Sequence, residues 1–289
     1  MNKTLPPPKN IDHARRRRFA QTFAASPHIV WMIIFIVVPM VLVCYYAFTD
    51  NGGNFTTSNF ETLLKSDYPT IFLHSISFAF IATVLCLLIG YPLAYAISRT
   101  KPRTQKILIM LVMLPMWTNF LIRTYSLMNI IETNGLINSL LVSMGLPRIQ
   151  MINTGGAVIF GMVYNYLPYM VLPICSVMQK MDNRLIEAAS DLGCNSFQVM
   201  SKVIFPLSAS GIVSGITMVF VPSVSTFYIS QKLGGGSYQL IGDAIERQFQ
   251  QAYNYHLGSA LSFVLMIMIF VSMIIMNKFD SSEDGGVVV

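Results

Sequence analysis

Five windows of this chain, 19–49, 68–98, 149–179, 203–231 and 248–277, contain no Asp, Glu, Lys or Arg, and a sixth, 107–122, shares that property. About 20 apolar residues in helical form cross the hydrocarbon core of a bilayer, so each of the five longer windows suffices alone. The sixth suffices if 107–131 is a single span that carries Arg123. Buried helices of soluble domains rarely run for 30 residues without a charge. Only 11% of the residues are charged and 54% are hydrophobic, against about 25% charged in a soluble domain. The expectation is an all-α membrane protein with six transmembrane helices. They are placed at Pro27–Phe48, Phe72–Ser98, Ile107–Ile131, Gly156–Met178, Gly211–Ser230 and Gly258–Asn277, with a short interfacial helix in the connection after the third.

The net charge of +6 reads as an orientation signal, and no nucleic-acid partner is expected. With six spans, fourteen of the nineteen Lys and Arg residues fall on one side. They are six in the N-terminal segment, including Arg15–Arg18, four in the second connection, Lys180, Arg184 and Lys202 in the fourth, and Lys278 in the tail. The bias of basic loops toward the cytoplasm then places both termini, and the connection between spans four and five, inside. Three segments follow: a basic cytoplasmic segment 1–26, a six-helix domain 27–277, and a polar cytoplasmic tail 278–289 read as disordered. The first apolar run is too long for a signal-peptide core and has no small-residue cleavage site, so it is expected to be retained. The cysteines show no CxxC spacing, so neither a disulfide framework nor a metal site is expected. No internal repeat stands out, and six prolines (39, 92, 115, 168, 173 and 222) lie within spans.

One stretch between the spans is polar. In "RLIEAASDLGCNSFQVMSKVIFPL", residues 184–207, the residues Leu185, Ala188, Ala189 and Leu192 share one face of a helix. Glu187 and Asp191 flank that face four residues apart. Gly193 supplies a left-handed stop, Asn195 or Ser196 can cap a second short helix, and Pro206 ends it. A helix made to lie on lipid would be rich in Lys and Arg opposite bulky apolar residues. This one has alanines at its centre and two acids, which suits docking against another protein.

These residues resemble the EAA motif of binding-protein-dependent ABC importers: Glu187, Ala188, Ala189, Gly193 and Pro206 match in place, with Val203 and Phe205 where Ile and Leu are usual. In that family the element is a coupling helix seated on an ATPase subunit, which implies an ATPase-coupling set of Glu187, Ala188, Ala189, Asp191, Leu192, Gly193 and Pro206. "LPMWTNFLIRTYSLM", "GYPLAYAISR" and "FYISQKLGGGSYQLIGDAI" are similar to segments of spermidine/putrescine importer permeases. The resemblance covers about 28–277. It implies a multi-pass inner-membrane subunit that moves polyamine inward. Its partners would be a second homologous permease, two ATPase subunits that carry ATP and Mg, an extracytoplasmic binding protein, and membrane lipid. Related permeases carry other small cargo such as iron, thiamine or phosphonate-like compounds, which is the alternative reading.

The chain has no G-x-x-x-x-G-K-[ST] sequence to cradle nucleotide phosphates, so no ATPase site of its own is expected. Catalytic residues, cofactors and metal ligands are likewise not expected. An ion-coupled secondary transporter would carry acids inside the membrane, and here all thirteen acids fall in loops or at helix ends. Trp117, Asn119, Tyr164, Phe227, Tyr228, Asp243 and Glu246 are the candidates for the cargo path and gate, with Asn165 and Tyr166 beside them. Aromatic faces attract ammonium groups, and the two acids can draw in a cation. Polyamine permeases often have an acid after "FYVS"; this chain has Gln231 there. Arg123, read on a straight helix from Ile107, is expected near the outer surface with its charge reaching toward water.

Overall fold

The computed structural model describes residues 26–284. The N-terminal segment apart from Ser26, and the tail beyond 284, lie outside the described residues. Among the described residues the regular elements are all helical, with one isolated bridge between Thr49 and Phe55. Helix α1 runs from Ser26 to Ala47 and contains a π-turn at Ile33–Val37. A short α2, Ser58–Lys65, precedes the 31-residue α3, Tyr68–Ser98. Next come α4, Pro102–Trp117, α5, Phe120–Ile131, and the short α6, Leu136–Ser143, which is the connecting helix foreseen after span three. Helix α7, Gly155–Lys180, leads into α8, Asn183–Asp191, and α9, Ser196–Leu207. The chain ends through α10, Ala209–Ser225, α11, Tyr228–Leu233, α12, Ile241–Gln250, and α13, Tyr255–Asp284.

Among the described residues four helices, α1, α3, α7 and α13, are long and apolar enough to cross a membrane unbroken, and the number is six if each of two bent pairs is one span. The expected third and fifth spans are those pairs. Residues 107–131 do not form one rod: α4 and the helical segment starting at Phe120 meet at 92°. Pro115 cannot continue the hydrogen-bond ladder. Thr118 is extended, and the Asn119 side chain then accepts the N–H groups of Leu121 (2.8 Å) and Ile122 (3.4 Å) to start a new helix. The fifth span also differs from Gly211–Ser230. It ends at Ser225, and α9 joins α10 at 66° through Ser208. At the other end of the chain, α13 continues past Asn277 to Asp284, so the tail begins as helix rather than as the disordered segment expected from 278 onward.

Helices α3, α7 and α10 form the centre, and small residues set how close they come. A Cβ on Gly90 would lie 3.1 Å from Met170, and one on Gly211 would lie 3.0 Å from the backbone of Ile174. This close approach of small residues is how helices associate in lipid, where burial of apolar surface gives no net drive. Met162, Met170 and Ile174 on α7 fill this core. A second core, with Ala47, Leu63, Ala79, Val224, Ile241, Ala260 and Leu261, joins α1, α2, α12 and α13 to one end of the same bundle.

Candidate functional site

Helices α8 and α9 sit between the long helices α7 and α10, as a capped pair. Asp182 accepts the N–H of Arg184 at 2.9 Å and starts α8. At the far end Gly193 adopts φ +84°. Its N–H reaches Ser190 O at 2.9 Å, and the Cys194 N–H reaches Ala189 O at 3.1 Å. These are the two bonds of a Schellman stop, and the left-handed residue in it costs a side-chain-bearing amino acid about 1 kcal/mol or more. Asn195 and Gln198 then form a reciprocal cap, each side chain accepting the other's N–H at 2.8–2.9 Å. Pro206 lies in the last turn of α9, after a π-turn at Met200–Ile204.

The faces of α8 differ in one respect from the expected stripe. Ala189 turns inward, 8% exposed, and packs with Ile186 against the bundle. Leu185, Ala188, Glu187 and Asp191 face outward together with Leu192, which is 86% exposed. Phe197, on the next helix, is 79% exposed. The outer face is thus an apolar knob rimmed by two acids. Ala189 packs against the permease beneath it because Ile186, larger and more apolar, takes the inner side and Ala189 lies three residues on. Two bonds tie the knob to α3: Arg99 Nη1 donates to Asn183 Oδ1 at 2.6 Å, and Tyr91 Oη lies 3.2 Å from Ser208 Oγ at the bend. The sequence reading did not single out either contact.

The path candidates divide into two groups. Phe227 sits in the break after α10 with φ −129°, and Tyr228 opens α11. Tyr228 faces Phe120, the first residue after the α4–α5 elbow, with ring centroids 6.2 Å apart. Trp117 and Asn119 lie at the same elbow, Trp117 on the surface and Asn119 as the cap. Tyr164 lies on the outer face of α7 in line with exposed Phe160. Asn165 is fully buried, donating to Gly161 O at 2.8 Å and to Thr124 Oγ1 at 3.5 Å, and Tyr166 Oη donates to Pro222 O at 3.4 Å. Those two residues hold α7 to α5 and α10.

The bend also changes the position of Arg123. Its Nη1 donates to Pro115 O at 2.7 Å, which caps the end of α4, and its guanidinium lies 5.9 Å over the Phe120 ring. The expected reach toward water is replaced by this internal bond, because the chain folds back before Arg123 is reached.

Asp243 and Glu246 lie on α12, beside a cavity of about 230 Å³ that Ser230, Gln231, Tyr238 and Arg247 also line. Asp243 Oδ2 accepts the Leu240 N–H at 2.8 Å, while Oδ1 is buried without a partner. Gln231 donates to Glu246 at 3.1 Å. Burial pushes the Asp243 carboxyl up to about 6, against the opposing pull of the Leu240 N–H and the Ser230 and Gln231 side chains, and Glu246 adds to the rise. A carboxylate raised in the fold favours folding while protonated, so this contribution is full below about pH 4 and lost as pH rises through about 6. Asp243→Asn keeps an acceptor for Leu240 and removes the charge. Thermal unfolding of the purified subunit complex should therefore fall less steeply between pH 4 and 7 in the variant, and an unaltered slope would count against a buried, raised Asp243. Among the described residues no three His, Cys, Asp or Glu side chains gather into a metal-holding group.

Four apolar helices of membrane length, or six spans if each bent pair is one, with an exposed capped helix pair after α7, define a multi-pass membrane protein. The family model for the binding-protein-dependent transport system inner membrane component matches residues 87–283, and the chain belongs to that family. It is 41% identical over 246 residues, 82% of this chain and 86% of the relative, to the spermidine/putrescine transport system permease protein PotB of Haemophilus influenzae. It is 34% identical to the PotB protein of Escherichia coli, over 85% of this chain and 92% of that one. In fold it is similar to a chain of a bacterial ABC transporter involved in the import of alginate, with TM-score 0.77, 18% identity and coverage of 95% and 99%. A methionine ABC transporter, MetNI, gives TM-score 0.56 at 16% identity, covering 74% of this chain and 94% of that one. The protein is a multi-pass inner-membrane ABC importer permease.

Proposed function

We propose that this chain carries polyamine inward as one permease of an ABC importer, with ATP hydrolysed on separate subunits docked at the α8–α9 knob. The observation that carries the reading is the 41% identity, over most of both chains, to a spermidine/putrescine permease. In the full assembly this chain pairs with a second, similar permease and two ATPase subunits that hold ATP and Mg. An extracytoplasmic binding protein delivers the cargo at the α5–α11–α12 end. Both termini and the knob lie in the cytoplasm on this reading, as the basic loops require. A solved relative of the same fold, the alginate transporter, is described in complex with a pentasaccharide-bound periplasmic protein.

The chemistry of the two ends supports the assignment. The knob is an exposed apolar patch on an otherwise charged, capped element, as a docking surface requires. At the opposite end, ring faces at Phe120 and Tyr228 and the carboxylates of Asp243 and Glu246 surround the break after α10. Each ring face attracts an ammonium by about 0.5–2 kcal/mol, enough to guide a cation without trapping it. Coupling residues Glu187, Ala188, Asp191, Leu192, Gly193 and Pro206 act through the knob, with Ala189 supporting it from beneath.

Uptake of labelled spermidine and putrescine into vesicles holding the assembled importer and its binding protein tests the reading. ATP-dependent accumulation is expected, and Phe227→Ala with Tyr228→Ala should slow it severalfold at normal subunit levels. ATP hydrolysis stimulated by a different cargo, with no polyamine uptake, would replace the polyamine assignment.

A further inference from the structure

The rings at the proposed gate already carry cations. Lys232 Nζ lies 5.7 Å from the centroid of Tyr228, Tyr228 faces Phe120 at 6.2 Å, and Arg123 lies 5.9 Å over Phe120. A cation–ring–ring–cation ladder therefore joins α11 to the elbow between α4 and α5. Arg123 is fixed in it by its bond to Pro115 O. Lys232 is held by the ring face of Tyr228. Glu246, on the neighbouring helix, takes its hydrogen bond from Gln231.

A lysine side chain is a primary ammonium on a four-carbon stem. That is the same chemical group as the end of a linear polyamine. A tethered ammonium competes for its ring at an effective concentration in the millimolar range. We infer that Lys232 is a resident stand-in for a cargo ammonium on Tyr228, and so a specificity-determining residue of this permease. The inference rests on the polyamine reading above.

The arrangement favours cargo with more than one ammonium. A monoamine can offer Tyr228 only what Lys232 already supplies. A polyamine that displaces Lys232 brings a second positive centre, which Glu246 and Asp243 attract from the cavity beside α11. The displaced lysine returns to the ring when cargo moves on, which closes the ladder again.

The test is equilibrium binding of labelled spermidine to the purified importer complex without its binding protein, with n-butylammonium as competitor. Lys232→Met keeps length and apolar character and removes the ammonium. It should tighten spermidine binding by about three- to tenfold and let butylammonium compete more strongly. Lys232→Arg, which keeps a cation on the ring, should bind as the wild type does. In a Tyr228→Leu background the Lys232→Met change should have no further effect. Equal or weaker spermidine binding by the Lys232→Met complex, or binding by neither complex, overturns the inference. The two readings fail separately: a wild-type importer that takes up no polyamine removes the cargo assignment, whereas normal uptake with an unresponsive Lys232→Met removes only the role of Lys232.

Discussion

Replacing Gly193 with valine should reduce ATP-driven uptake by about ten- to hundredfold while the subunit still inserts and assembles. Gly193 holds φ +84°, and a Cβ there would meet nothing within 4 Å. The change therefore acts through the backbone alone. A β-branched residue in the left-handed region carries roughly 1–3 kcal/mol of strain, and every 1.4 kcal/mol is tenfold in an equilibrium. The chain relieves that strain by opening the two bonds from Gly193 N–H and Cys194 N–H back to Ser190 and Ala189. Once they open, α8 and α9 lose their fixed angle, and Leu192 and Phe197 no longer present a single surface. Gly193→Asn, which tolerates the left-handed conformation better than most residues, should retain much of the uptake. The measurement is initial uptake and stimulated ATP hydrolysis in reconstituted vesicles, with pull-down of the ATPase subunits as the assembly readout. Wild-type uptake by the valine variant would remove α8–α9 from the coupling path.

The capped knob was legible because its signals are local. A left-handed glycine and an Asn cap each act within a few residues, and the structure builds its turns from them. The membrane character was legible for a different reason: the absence of charge over 30 residues is costly to contradict in lipid. What hydropathy could not convey was direction. A window such as 107–122 stays equally apolar whether the helix is straight or turns through 92°, and the turn rests on Pro115, Thr118 and the capping side chain of Asn119. An Asn four residues after an in-span proline is the sequence signal for this turn, and Asn119 supplies it as the helix cap. The same limit explains Arg123, whose distance along an imagined straight helix became irrelevant once the chain folded back. Alanine carries too little side chain to report which way it faces, so the inward turn of Ala189 emerged only from its packing with Ile186. Tyr164 and Tyr166 are two residues apart and differ in burial for the ordinary reason that a helix turns about 100° per residue.

The proposed gate end depends on one close approach that sequence patterning does not reveal. The N-terminus of α12 abuts the C-terminal end of α10, and a Cβ on Gly242 would stand 2.5 Å from Ser225 O and 2.6 Å from Thr226 O. Both neighbours are backbone carbonyls, so no side chain can swing aside. The adjacent Ile241 N–H donates to Ser75 Oγ at 2.7 Å, with Ser75 fully buried on α3, and Asp243 caps Leu240 on the other side. Gly242→Ala must therefore push α12 away from α10 or distort the break at Thr226–Phe227, and forced overpacking of this kind costs about 1–3 kcal/mol or more. The displacement breaks the bond to Ser75 and moves Asp243 and Glu246 relative to Tyr228, so delivery at the gate should fail even though the knob at the far end is untouched. Uptake is expected to drop at least tenfold, by the same conversion of energy into rate. Amide exchange at Ile241 and Ala244 should rise, and binding of the ATPase subunits should stay normal. Gly156→Ala is the matched control, because a Cβ there would meet only Thr154 Oγ1 at 3.8 Å. Equal uptake by the two alanine variants would show that the contact between α12 and α10 does not set the gate, and that its closeness serves packing alone.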